Sequence, residues 1–119
     1  MTEPKRVLWV EDDHAQQQVV IELLQLLGYA VEVASNGREA LELLEANTFE
    51  ILVTDIGMPE MNGWQLLETV RERAWDEMRI IVTSGWAHEL DSETRARYGV
   101  DFIIHKPFEL KQLREALEQ

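Results

Sequence analysis

Five times along this chain a short run of β-branched and aliphatic residues gives way to a longer stretch whose apolar residues recur at helical spacing. That alternation is the pattern of parallel βαβ units, because parallel neighbours need a crossover long enough to return the chain to the start of the sheet. The strand candidates are Arg6–Val10, Ala30–Ala34, Glu50–Thr54, Arg79–Thr83 and Phe102–His105. Most are continuous Val, Ile and Leu runs, as expected when helices cover both faces of a sheet. The expected class is α/β, a doubly wound (βα)5 sandwich of three layers around a five-stranded parallel sheet.

The gaps read as helices with their own punctuation. The first runs from about His14 to Leu27, with Val20, Leu23, Leu24 and Leu27 on one face and Gly28 as the left-handed stop. Asn36 with Glu39, and Asn62 with Gln65, have the spacing of capping boxes that open the second and third helices. The fourth spans about Glu89 to Tyr98 before Gly99, and the fifth starts near Glu109 with Leu110, Leu113 and Leu117 in phase. No linker interrupts the pattern, and 119 residues suit one core, so residues 1–119 are read as a single domain.

Charge and cysteine content narrow the partners. The net charge is -12 and the eleven basic residues are scattered, which argues against direct nucleic-acid binding. There is no cysteine, so a disulfide framework and thiolate metal ligands are both excluded and a reducing cytoplasm is the expected location. No apolar run reaches the roughly 18 residues of a membrane span, and the opening MTEPKR carries no secretory pattern.

Doubly wound sheets build their sites beyond the carboxyl ends of the strands. Here those ends carry Glu11-Asp12-Asp13, Asp55, Thr83-Ser84-Gly85 and His105-Lys106-Pro107. Taken singly, each is ordinary: a cap, an acidic surface, a turn, a loop. Gathered on one edge, they pair carboxylates with a hydroxyl and an ammonium. Crowded carboxylates raise one another's pKa or hold a cation, and oxygen-only ligands select magnesium or manganese. Asp12 and Asp55 would bind the ion directly, Glu11 through water, and the Gly57 carbonyl would add a backbone ligand. Asp55 is then placed to act as a carboxylate nucleophile toward phosphorus, with Lys106 and a strand-four hydroxyl, Thr83 or Ser84, meeting the charge of the transferred group. Gly85 has no side chain to block that group.

The segments VLWVEDD, ILVTDIGMPEMNGWQLL, IIVTSGWA and HKPF, with Met58-Pro59 and Gly63 at their spacing, resemble the response-regulator receiver family over nearly the whole chain, its small chemotaxis members included. The resemblance implies a flavodoxin-like sheet of order 2-1-3-4-5, Asp55 as phosphoacceptor, Glu11 and Asp12 as the acidic pair, and Ser84, not Thr83, as the hydroxyl beside Lys106. It also implies a cis Lys106–Pro107 bond, a histidine kinase or histidine phosphotransfer protein as donor, and an output face of helix four, strand five and helix five. A monomer or weak phosphorylation-dependent dimer is expected, either stand-alone or part of a longer regulator or hybrid kinase.

Two positions depart from the family pattern. Ile103 stands where a switching Tyr or Phe is usual, with Phe102 expected on the opposite strand face. The positions associated with phosphoryl lifetime are Gly57 and the bulky Trp86, whose indole has no group to orient an attacking water. Competing classes fare worse. A dehalogenase-type phosphatase resembles Asp-x-Asp, but Gly57 occupies the second acidic position; neither GxxxxGK[ST] nor GxGxxG occurs for nucleotides; and an acidic first loop would repel a flavodoxin's phosphate. The alternative kept open is a pseudo-receiver, an interaction module of the same fold that is never phosphorylated. His14, His88 and His105 share no metal-ligand spacing.

Overall fold

The computed structural model describes residues 3–56, 63–73, 75, 77–85 and 92–118. Ten elements alternate along the chain: β1 (Arg6–Val10), α1 (His14–Leu26), β2 (Ala30–Ala34), α2 (Gly37–Ala46), β3 (Ile51–Asp55), α3 (Gly63–Glu72), β4 (Arg79–Ser84), α4 (Ser92–Tyr98), β5 (Phe102–His105) and α5 (Leu110–Glu118). All strand pairs are parallel, in the order β2-β1-β3-β4-β5. This is the doubly wound sandwich expected from the alternation, with the flavodoxin-like strand order that the family resemblance implies.

Strand alternation splits the core into two layers. Val7, Trp9, Ile51, Val53, Ile81 and Ile104 pack under Val20 and Leu24 of α1 and Leu113, Ala116 and Leu117 of α5. Their neighbours Leu8, Val10, Leu52, Ile80 and Val82 face the other way, onto Ala40 and Leu44 of α2 and Leu66, Leu67 and Val70 of α3, with Tyr98 of α4 alongside. Because both faces are covered, the central strands are almost fully buried. Phe102 joins the α1/α5 layer and Ile103 the opposite one, as the two-residue period of a strand requires.

Helix ends follow their side-chain chemistry. Gly28, at φ 91°, and Gly99, at φ 67°, each terminate a helix in the left-handed region. Gly28 N–H donates to the Gln25 carbonyl and Tyr29 N–H to Leu24, the two bonds of a Schellman cap, and Gly99 and Val100 repeat them on Ala96 and Arg95. At α2 the Asn36 side chain accepts from Glu39 N–H at 2.9 Å. Glu39 reaches back to Ser35 N–H at 3.0 Å and not to the cap residue itself, so the box closes one residue earlier than its spacing predicts. Asn62 lies outside the described residues. Strand three begins and ends one residue later than expected, and strand four extends to Ser84.

One close approach fixes α3 against the end of β3. Gly63 N–H donates to the Ile56 carbonyl at 2.9 Å. A Cβ on Gly63 would sit 2.5 Å from the Asp55 carbonyl oxygen and 2.8 Å from Ile56 Cα, both backbone atoms that cannot swing aside. Gly63→Ala is therefore expected to force α3 away from the β3 terminus and to lower stability by about 1–3 kcal/mol. Thermal denaturation checks this, and an unchanged melting temperature contradicts it.

Candidate functional site

The register delivers the reactive residues to one edge of the sheet. Val10 of β1 lies opposite Thr54 of β3, so Glu11 and Asp55 leave the sheet side by side. Asp55 pairs with Thr83 of β4, and Ser84 pairs with His105 of β5. Lys106 N–H donates to the Ser84 carbonyl at 2.8 Å, which carries β5 one rung further and brings its side chain over the acidic end. The Lys106–Pro107 bond is cis, as the HKPF segment implies.

Glu11, Asp12 and Asp55 each offer a carboxylate oxygen, and these three atoms lie within 4.8 Å of one another. Lys106 Nζ bridges two of the groups, donating to Asp55 Oδ2 at 2.7 Å and to Glu11 Oε1 at 3.0 Å. Glu11 Oε2 accepts from Asp13 N–H at 3.3 Å. Burial of Glu11, only 3% exposed, raises its carboxyl pKa above the usual carboxylate value, and the lysine contact offsets this only in part. Burial also works against the Lys106 charge, but the bonds to Asp55 and Glu11 together outweigh it and hold the ammonium pKa above its ordinary value. Lys106 is thus the charged partner in a pocket where one ammonium faces three carboxylates. With all three ionised, two negative charges remain uncompensated, and every donor is oxygen. That set fits a hard divalent cation.

Not every residue of the strand ends enters this cluster. Asp13, next to the acidic pair, instead caps α1, accepting from Ala15 N–H at 2.9 Å and Gln16 N–H at 3.2 Å. Thr83 and Ser84 are both buried, and the Thr83 hydroxyl has no hydrogen-bond partner among the described residues. Gly85 is exposed, and a Cβ there would meet nothing within 4 Å among the described residues. His14 and His105 are exposed residues away from any metal-binding group among those described. Gly57, Met58-Pro59, Trp86 and His88 lie outside the described residues.

Sequence reasoning missed Gln17. Its side-chain nitrogen donates to the Glu11 carbonyl at 2.5 Å and to Ser35 Oγ at 3.1 Å, and the residue is 5% exposed. The signal was present, since Gln17, Val20 and Leu24 share the i, i+3, i+7 stripe that faces the sheet. A polar residue on such a stripe must find a partner. The aromatic residues are structural: Trp9 is buried against Phe108, Trp75 lies under the Arg73 guanidinium, and Trp64 stacks on Tyr98 between α3 and α4. Among the described residues no helix is long and apolar enough to cross a membrane.

Known proteins are similar to this chain in sequence and in fold. The regulator of RpoS from Escherichia coli is 36% identical over 97% of this chain, which spans 35% of that protein. Hybrid signal transduction histidine kinase K of Dictyostelium discoideum is 32% identical over 95% of the chain, which spans 10% of it. The response regulator TrrA of Thermotoga maritima, solved in complex with Mg2+ and BeF, superposes with a TM-score of 0.85 at 27% identity, covering 96% of both chains. The chain thus spans about a third or less of these two larger relatives. The sequence model of the response regulator receiver domain matches residues 7–118, from the second residue of β1 to the end of α5. With the sheet order, the acidic edge and this match in agreement, the chain belongs to the response regulator receiver domain family of two-component signalling.

Proposed function

We propose that residues 1–119 act as one phosphoryl-accepting receiver domain, in which Asp55 takes a phosphoryl group from a phosphohistidine of a histidine kinase or phosphotransfer protein. The observation that carries this reading is the placement of the Asp55 carboxylate, with oxygens of Glu11 and Asp12 within 4.8 Å and the Lys106 ammonium at 2.7 Å. A carboxylate oxygen of Asp55 attacks phosphorus, the donor's P–N bond breaks, and the imidazole leaves with a proton from solvent. Lys106 meets an oxygen of the transferred group, and Ser84 offers its hydroxyl to another. A Cβ on Gly85 would touch nothing among the described residues, which agrees with a glycine kept small for the approach of the phosphoryl group.

Asp12 and Asp55 would hold Mg2+, or Mn2+, directly, with Glu11 acting through water and the Gly57 carbonyl as a further ligand. The ion's contribution is to offset charge where two anions must meet. Beyond its own phosphorylation and dephosphorylation the domain catalyses nothing; its output is a change in the surface of α4, β5 and α5, read by a downstream protein. Trp86 is proposed to prolong the phosphorylated state, and Ile103, lacking a ring, to mute the switch at β5. The two larger relatives, one a regulator and one a hybrid kinase, both fit this role.

Intact-mass analysis after incubation with a small phosphodonor tests the reading. The wild-type chain is expected to gain one phosphoryl group in the presence of magnesium and none after chelation. No gain under either condition would establish the pseudo-receiver instead.

A further inference from the structure

The Glu11 backbone is gripped from both sides. Its N–H donates to the Ala34 carbonyl at 2.9 Å, at the end of β2, and its carbonyl accepts from Gln17 Nε2 at 2.5 Å. A carbonyl oxygen only accepts, so the atom of Gln17 that faces it is the amide nitrogen. The same nitrogen donates to Ser35 Oγ at 3.1 Å, tying α1, the end of β1 and the β2–α2 turn together. The carbonyl of Glu11 lies in the peptide plane that leads into Asp12. The Asp12 side chain is exposed and has no hydrogen bond among the described residues, so among them the backbone that carries its Cα–Cβ bond is what constrains it.

We propose that Gln17 is a positioning residue for the cation site: its buried amide fixes the Glu11–Asp12 peptide and thereby aims both carboxylates toward Asp55. This rests on the reading that Glu11, Asp12 and Asp55 hold a divalent ion. It departs from that reading in giving a role to a residue on the helix behind the site, which would touch neither the ion nor the phosphoryl group. Partners one step behind metal ligands hold geometry that the ligands alone do not, and their loss weakens metal binding by about 10- to 100-fold.

Calorimetric titration of magnesium into the metal-free chain tests this. Gln17→Met keeps the length and bulk of the side chain but removes the donor, and it is expected to weaken magnesium by about tenfold. Val20→Ala, on the same buried stripe of α1 and away from Glu11, also costs stability but is expected to leave affinity within about twofold. That contrast separates aiming from general loosening of the fold. Should Gln17→Met not fold, Ser35→Ala removes only the second anchor of the amide and is expected to weaken magnesium by about threefold. Wild-type affinity in Gln17→Met, or in Ser35→Ala where that variant stands in, overturns the proposal, as does equal weakening by Gln17→Met and Val20→Ala. A wild type that binds magnesium, with Asp12→Asn that does not, keeps the cation reading alive whatever Gln17 does; a wild type that does not bind it sinks both.

Discussion

Asp55→Ala is expected to abolish the magnesium-dependent mass gain while leaving the chain folded. Three carboxylates share the edge, yet they are not equivalent as nucleophiles. Glu11 is 3% exposed and both of its oxygens are engaged, one by Lys106 and one by Asp13 N–H. Asp12 is exposed and forms no ion pair among the described residues, so no lysine or arginine there stands ready to meet an incoming phosphoryl group. Asp55 alone combines partial exposure, at 14%, with a lysine contact at 2.7 Å. Losing it removes the proposed nucleophile and a proposed cation ligand together, so labelling should fall by at least about a hundredfold, or some 2.7 kcal/mol in the barrier. Stability should change little, because Lys106 keeps Glu11 as its partner. Labelling at the wild-type rate in the variant would move the acceptor elsewhere.

Most of this site is legible in the chain because a parallel sheet converts sequence position into spatial position. Once five strands are recognised, their last residues must meet at one edge, and Glu11, Asp12, Asp55 and Lys106 follow. The strand bounds slip by one residue at β3 and β4 for a simple reason: Asp55 and Ser84 are polar, whereas strand membership is decided by backbone pairing with Thr83 and His105. Caps were read from spacing, which names the donor and acceptor residues but not which N–H the Glu39 carboxylate reaches. The sequence marks Asp13 only as the residue beside the acidic pair, because its capping role depends on the backbone turn that brings Ala15 and Gln16 N–H to it. The helix stripe signals that Gln17 is buried, but not what it bonds. Its partner is a main-chain carbonyl six residues back and a serine eighteen residues on, and no residue-type pattern announces such contacts.

The pairing at the edge also bears on how a signal leaves it. Gly63 presses α3 against the Asp55 carbonyl, and Trp64, the next residue, stacks on Tyr98 of α4 at a ring separation of 4.9 Å. Ile103 packs in the same layer as both rings. A ring contact thus joins α3 to α4 even though the β5 position lacks a ring, and a displacement of α4 must either break that contact or carry α3 with it.

Lys106→Ala is expected to damage the metal-free protein and the signalling response in separable ways. In the metal-free chain Lys106 is the only described cation bonded to Glu11 and Asp55, and its removal leaves Glu11 buried with a single backbone donor. Breaking a buried pair costs about 3–5 kcal/mol, and because Lys106 is 23% exposed solvent screens part of this, leaving about 2 kcal/mol. The loss should depend on pH. Glu11 already has a folded-state pKa above its ordinary 4.5, and without the lysine it rises further. A raised carboxyl favours the folded state while protonated, so the variant should lie close to wild type below about pH 4.5 and fall behind as pH climbs through the raised value. Magnesium should restore stability to the variant more strongly than to the wild type, since the pocket has lost its own cation and the carboxylates proposed to hold the ion are intact. The response to phosphorylation should not recover. With beryllofluoride and magnesium, hydrogen exchange over α4, β5 and α5 should change in the wild type and stay near the unmodified pattern in Lys106→Ala, because the contact that favours one state of that surface is gone. Equal stability of the two proteins at pH 8 without metal would show that Lys106 does not hold the acidic edge together, and a wild-type exchange response in the variant would remove it from the switch.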